Sequence, residues 1–173
     1  AQKAAEKAAA KKAKEANAPV KKAKAAVEND EELDPSKYAE NRRNFLQKER
    51  DAGRNPYPHK FHRDLTLPQF KEKYENEKIE NGQFLEDVSV ALTGRIMAFR
   101  ASGGKLIFID LHEDNGKIQV FATAANYKED FDILNRNLKI GDIIGIEGQP
   151  GRTKTGELSV RPTRIESLSY CLH

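Results

Sequence analysis

Apolar and polar residues alternate with period 2 along much of the second half of the chain. In Lys105-Leu106-Ile107-Phe108-Ile109-Asp110-Leu111, one strand face carries Ile107, Ile109 and Leu111, and the other carries Leu106, Phe108 and Asp110. The next run, 117–122, sorts Ile118, Val120 and Ala122 from Lys117, Gln119 and Phe121. Upstream, Val88, Val90, Leu92, Ile96 and Ala98 alternate with Ala91, Thr93, Arg95, Met97 and Phe99, and Gly94 marks an expected bend or bulge. Turn chemistry at 101–104 and at Asp114-Asn115-Gly116 joins these three strands. The period then changes. Tyr127, Phe131, Leu134 and Leu138, spaced i, i+4, i+7, i+11, give a single apolar helix face. Gly141 opens a fourth strand through Ile143, Ile144 and Ile146, a loop follows at 148–156, and Leu158, Val160 and Ile165 mark a fifth.

Three strands, a helix and two strands is the order of a five-stranded OB barrel, so the expected class is mostly β. Such a barrel presents ligands with strands 2 and 3 and with the loops joining strands 1–2 and 4–5, here 101–104 and 148–156. Two short helices are expected before it. Asp34 offers an N-cap with Pro35 at the first helical position, and Gly53 a C-cap. Tyr38, Phe45, Leu46 and Glu49 form a stripe in the first helix, with Arg42, Arg43, Lys48 and Arg50 around it. Asn55-Pro56-Tyr57-Pro58 runs extended. Thr66 and Gln69 have the spacing of a capping box, and Phe70 and Tyr74 share a face. The chain therefore divides into 1–33, a Lys/Ala-rich extension and acidic linker; 34–87, a helical segment packing on the barrel; and 88–173, the barrel.

Charge separates the first of these from the rest. Residues 1–28 hold twelve Ala and eight Lys against Glu6, Glu15 and Glu28, a balance of +5, whereas the remainder holds 22 basic and 24 acidic groups. The overall +3 thus comes from the extension. With no large apolar face it reads as a disordered or nascent helical tail that orders on a phosphate backbone, or equally as a solvated tail. The lone Cys171 allows no internal disulfide and points to a reducing compartment. Mean hydropathy is −0.78, and no apolar run reaches the ~18 residues of a membrane span. The chain starts at Ala1 and ends at Cys171-Leu172-His173, which suggests a piece of something longer.

No catalytic or metal-binding constellation emerges. His59 and His62 lack a carboxylate or Cys at ligand spacing. Gly148-Gln149-Pro150-Gly151 and Ser102-Gly103-Gly104-Lys105 open no helix and read as hairpin loops, and Glu113-Asp114 as solvated turn carboxylates. A binding face is more promising. By strand parity Arg95, Phe108, Gln119, Glu157 and Arg161 all point away from the aliphatic side. Phe108 can stack a base, and Gln119 has both donors and an acceptor for a base edge. The alternatives are that Phe108 is covered by the upstream helices and that Arg95 and Glu157 form a plain surface ion pair.

Asn55-Pro56-Tyr57-Pro58-His59-Lys60-Phe61, Gly94-Arg95-Ile96, Arg100-Ala101-Ser102-Gly103, residues 105–111, Gly141-Asp142-Ile143-Ile144-Gly145, Gly156-Glu157-Leu158-Ser159 and Cys171-Leu172-His173 together resemble the N-terminal region of class II lysyl-tRNA synthetases over roughly 34–173. The Lys/Ala tail resembles the extension of eukaryotic members, with Glu15 where a lysine is more usual. The resemblance implies that the barrel binds the anticodon of tRNA-Lys. Phe108 would stack the central uridine, Gln119 and Glu157 would contact it, and Arg95 would assist. Lys7, Lys11, Lys12, Lys14, Lys21, Lys22 and Lys24 would hold the tRNA backbone. It further implies a cytoplasmic homodimeric parent enzyme, a lysine–tRNA ligase using ATP and Mg2+ in a catalytic domain these residues do not include, with a multi-synthetase scaffold as a further partner. On this reading the chain alone is not an enzyme, needs no cofactor and meets no membrane; the parent is a homodimer, and whether this fragment dimerises is left open by the residues. A sequence-tolerant single-strand-binding module and a protein-interaction module are the other classes the residues allow.

Overall fold

A computed structural model describes residues 35–102, 104–127 and 131–173. The expectations for the basic extension, the acidic linker and the Asp34 cap lie outside the described residues. After a 3-10 turn at Pro35–Lys37 come helices α1 (Tyr38–Asp51) and α2 (Leu67–Glu75). The strands are β1 (Val90–Ser102), β2 (Leu106–Glu113), β3 (Gly116–Thr123), β4 (Ile143–Arg152) and β5 (Leu158–Ser169), with helix α3 (Phe131–Asn137) between β3 and β4. They close into a barrel in the order β1-β2-β3-β5-β4, in which only the β3–β5 pairing is parallel. This is the expected OB barrel.

The aliphatic faces read from the sequence fill its interior: Leu92, Ile96, Ile107, Ile109, Leu111, Val120, Ile144, Ile146 and Val160 are buried together. Tyr127, Phe131, Leu134 and Leu138 close one part of this core, although α3 itself starts only at Phe131. From α2, Leu67, Phe70 and Tyr74 enter the same cluster. The capping box forms as its spacing requires: Thr66 Oγ1 accepts from Gln69 N–H, and Gln69 Oε1 from Thr66 N–H. Gly116 sits where α2 meets the β2–β3 hairpin; a Cβ there would stand 2.6 Å from Pro68 Cδ. Glu113 is no solvated turn carboxylate. It pairs with Arg63 and accepts the Leu67 N–H at the start of α2.

Three local expectations change. The bulge falls at Met97, where the β1–β2 register slips between Ile96 and Ala98, and not at Gly94. Gly94 instead serves a close approach, a Cβ there lying 3.1 Å from Leu111 Cβ. The one-residue slip turns Phe99 toward the core and Arg100, which strict alternation would send inward, to the outer face opposite Phe108. The loop expected at 148–156 is shorter, because β4 continues to Arg152 and only 153–157 turn, with Gly156 at φ +89°. The first hairpin likewise shrinks, since β1 runs on to Ser102.

The third change concerns Arg42, placed by the sequence beside the stripe of α1 but 1% exposed in the structure. Its guanidinium meets both oxygens of the fully buried Asp142, at 2.8 and 2.7 Å, and donates to the Asn137 carbonyl. Asp142 also accepts the N–H groups of Lys139 and Cys171. One carboxylate thus joins α1, the α3–β4 turn and the C-terminal segment. The Arg42 guanidinium lies 5.1 Å from the ring centre of Tyr170, whose hydroxyl burial holds above the usual tyrosine range. Gly53 ends α1 as expected, one position later than a strict cap. With φ +74° it donates to Arg50, and Arg54 N–H to Glu49, closing the turn as a Schellman motif.

Candidate nucleic-acid interface

A groove of about 420 Å³ runs across the outer face between Phe84, Phe108, Gln119, Phe121 and the 153–157 hairpin. Its aromatic wall has three members. Phe108 and Phe121, cross-strand partners on β2 and β3, have ring centres 5.3 Å apart and tilted by 46°. Phe84, from the segment before the barrel, lies nearly parallel to Phe121 at 5.8 Å. Gly151 lets Phe84 approach; a Cβ there would come 2.4 Å from the ring. Phe84 also carries the guanidinium of Arg161 at 5.0 Å from its ring centre, which is itself held by Gln149 and Glu86. Phe108 is therefore half-buried among other rings lining an open groove, and the described helices do not cover it.

The polar end is built from Gln119, Glu157 and Ser159. β3 and β5 run parallel here with Gln119 opposite Ser159. The buried Ser159 hydroxyl shares its one proton between Gln119 Oε1 at 3.2 Å and the Glu157 main-chain carbonyl at 3.1 Å, and Gln119 Nε2 donates to Glu157 Oε2 at 3.0 Å. The amide is thereby held with Nε2 toward Glu157, and its second N–H has no partner among the described residues of the groove lining. Glu157, exposed on the hairpin, keeps its second carboxylate oxygen without a hydrogen-bond partner among the described residues. Phe108, Gln119 and Glu157 are thus brought together. Ser159 stood in the motif read from the sequence, but its role was invisible there because β3 and β5 are forty residues apart.

Arg95 is not among them. It lies opposite His112 and Ile143, and its Nη1 donates to the Gly141 carbonyl at 2.8 Å. The suspected Arg95–Glu157 ion pair does not form, since each side chain has another partner. Arg100 occupies the corresponding position beside Phe108, turned out by the Met97 bulge, and meets Asp110 at 3.0 Å. Nothing in the residue pattern marks that slip. The seven lysines from Lys7 to Lys24 lie outside the described residues. Among the described residues no group of His, Cys, Asp or Glu could hold a metal ion, and no helix is long and apolar enough to cross a membrane.

Rings to stack on and a fixed donor–acceptor pair beside them suit a single-stranded base with its hydrogen-bonding edge exposed. Comparisons with known proteins agree. Residues 90–168 match the family described as tRNA_anti-codon, OB-fold nucleic acid binding domain. A lysine–tRNA ligase of Thermotoga sp. (strain RQ2) is 38% identical over 136 residues, 78% of this chain and 26% of that protein. Lysine–tRNA ligase cla4 of Cladosporium cladosporioides is 38% identical over 173 residues, 95% of this chain and 29% of that protein. The chain thus spans under a third of the length of these relatives.

Proposed function

We propose that this chain, which belongs to the lysine–tRNA ligase family and carries its anticodon-binding OB domain, binds the anticodon of tRNA-Lys and selects a central uridine. The observation that supports this most is the Ser159–Gln119–Glu157 chain beside Phe108. Uridine presents O4 as acceptor and N3–H as donor. The free N–H of Gln119 meets the first, and the open oxygen of Glu157 accepts the second. Cytidine reverses both groups, setting an amino group against the amide N–H and a lone pair against the carboxylate. Leaving those groups unpaired costs more than a matched pair gains.

Binding of the 173-residue chain to an anticodon stem-loop with central U, against the same loop with central C, tests the proposal. Gln119→Ala or Glu157→Ala should narrow the U-over-C preference by about 1–2 kcal/mol and hardly change binding of the C loop. Equal losses on both loops would leave a sequence-tolerant single-strand-binding module.

Lys7, Lys11, Lys12, Lys14, Lys21, Lys22 and Lys24 add affinity by neutralising tRNA phosphates, which carries no base preference. Deleting residues 1–28 should weaken binding to different tRNAs alike. It should also flatten the log–log salt dependence by roughly 0.7–0.9 for each phosphate the segment had neutralised. An unchanged slope would make the segment a bystander. Arg95, outside the groove, assists in holding the anticodon loop. The longer protein containing this region would attach lysine to tRNA with ATP and Mg2+ in its remaining part, as a homodimer in the cytoplasm, with a synthetase scaffold as a further partner.

A further inference from the structure

We infer that Asp110 is a positioning residue, which holds Arg100 and Lys117 as a pair of phosphate clamps and so sets the register of the stacked base against Gln119 and Glu157. This rests on the anticodon reading of the same groove. Asp110 belongs to the middle of β2, two residues from Phe108 and directly opposite Gln119. It is an outer-face residue, yet its side chain is only 12% exposed. One oxygen takes Arg100 of β1 at 3.0 Å and the other takes Lys117 of β3 at 3.3 Å. A single carboxylate therefore spans three strands.

The exposures are unequal in a telling way. Arg100 and Lys117 remain 59% and 55% exposed, so their contacts with Asp110 add little to folding. What the carboxylate does is fix two otherwise free cationic heads on opposite sides of itself. Arg100 stands beside the ring of Phe108. Lys117 stands at the edge of an adjoining hollow of about 300 Å³ that shares Gln119 and Glu157 with the main groove. A strand whose base rests on Phe108 and whose edge meets Gln119 passes its backbone between these two charges. Phosphate contacts of this kind carry no base identity, but they fix how far the base reaches toward the groups that read it.

The charge of Asp110 itself opposes RNA, so removing it has two effects of opposite sign. In the full chain, Asp110→Asn should leave the U-over-C preference smaller by about tenfold while the C loop binds as well as before or more tightly at low salt. A thermal melt of the same variant separates this from loss of fold. The second arm is a cycle: in an Arg100→Ala/Lys117→Ala background, Asp110→Asn should have no further effect on the preference. If Asp110→Asn changes both loops equally, the residue is merely a repelling charge or part of the framework, and the inference falls. An undiminished effect in the double-alanine background overturns it too. A wild-type chain that binds U and C loops alike sinks the anticodon reading and this inference with it. A wild type that prefers U, with an Asp110→Asn variant that prefers it as strongly, sinks the clamp alone.

Discussion

Asp142→Ala is expected to lower the unfolding free energy by about 3–5 kcal/mol, more than any substitution in the groove. The loss does not measure the strength of an ion pair. Arg42 and Asp142 are both removed from water, and taking away the carboxylate leaves the guanidinium buried between Phe45 and Tyr170 with one carbonyl as partner. It also strips an acceptor from the N–H groups of Lys139 and Cys171. Domains of this size are stable by only about 5–15 kcal/mol, so the variant should sit near its folding limit. Arg42→Met should be strongly destabilising as well, because it leaves a buried carboxylate with only two N–H donors. Adding Asp142→Asn to Arg42→Met should recover part of that loss by removing the stranded charge. Chemical denaturation of the three variants checks all of this. A shift below about 1 kcal/mol for Asp142→Ala would show that water reaches the site and relieves it.

Phe108→Ala should weaken binding of the central-U stem-loop by about 1–3 kcal/mol and leave the fold intact. The ring is half-buried against Phe121 and borders the groove, while Ile107 and Ile109 on either side carry the core contacts of β2. Truncation therefore removes a stacking surface and opens no closed cavity. Phe121 and Phe84 keep their nearly parallel contact, so two rings of the groove wall persist. Binding titration alongside a denaturation curve separates the two quantities. A loss of stability of about 3 kcal/mol or more, with binding per folded molecule unchanged, would make Phe108 a packing residue.

The barrel was legible because its signals are local. Period-2 alternation at 106–111 and 117–122, the Asp114-Asn115 turn and the i, i+4, i+7, i+11 series from Tyr127 each depend on residues within a dozen positions. Their order then leaves few ways to close a sheet. Phe108 and Gln119 could be assigned to the outer face for the same reason, as parity counted from a well-marked strand needs no knowledge of the partner strand.

What only the tertiary structure decided depends on pairing between distant segments. The Met97 bulge is a property of the β1–β2 register, and it exchanges Arg100 for Arg95 beside the groove. Ser159 orients Gln119 because β5 runs parallel to β3, forty residues away. Arg42 looks like an exposed helix-face cation until α1 meets Asp142, one hundred residues on, and the pair is buried. The outer-face position of Gln119 was correctly visible and only its partner was hidden, whereas strict alternation sent Arg100 inward and the helix stripe left Arg42 outside the core. Charge and hydrogen bonding act between groups in space, and sequence periodicity records only which side of an element a group occupies.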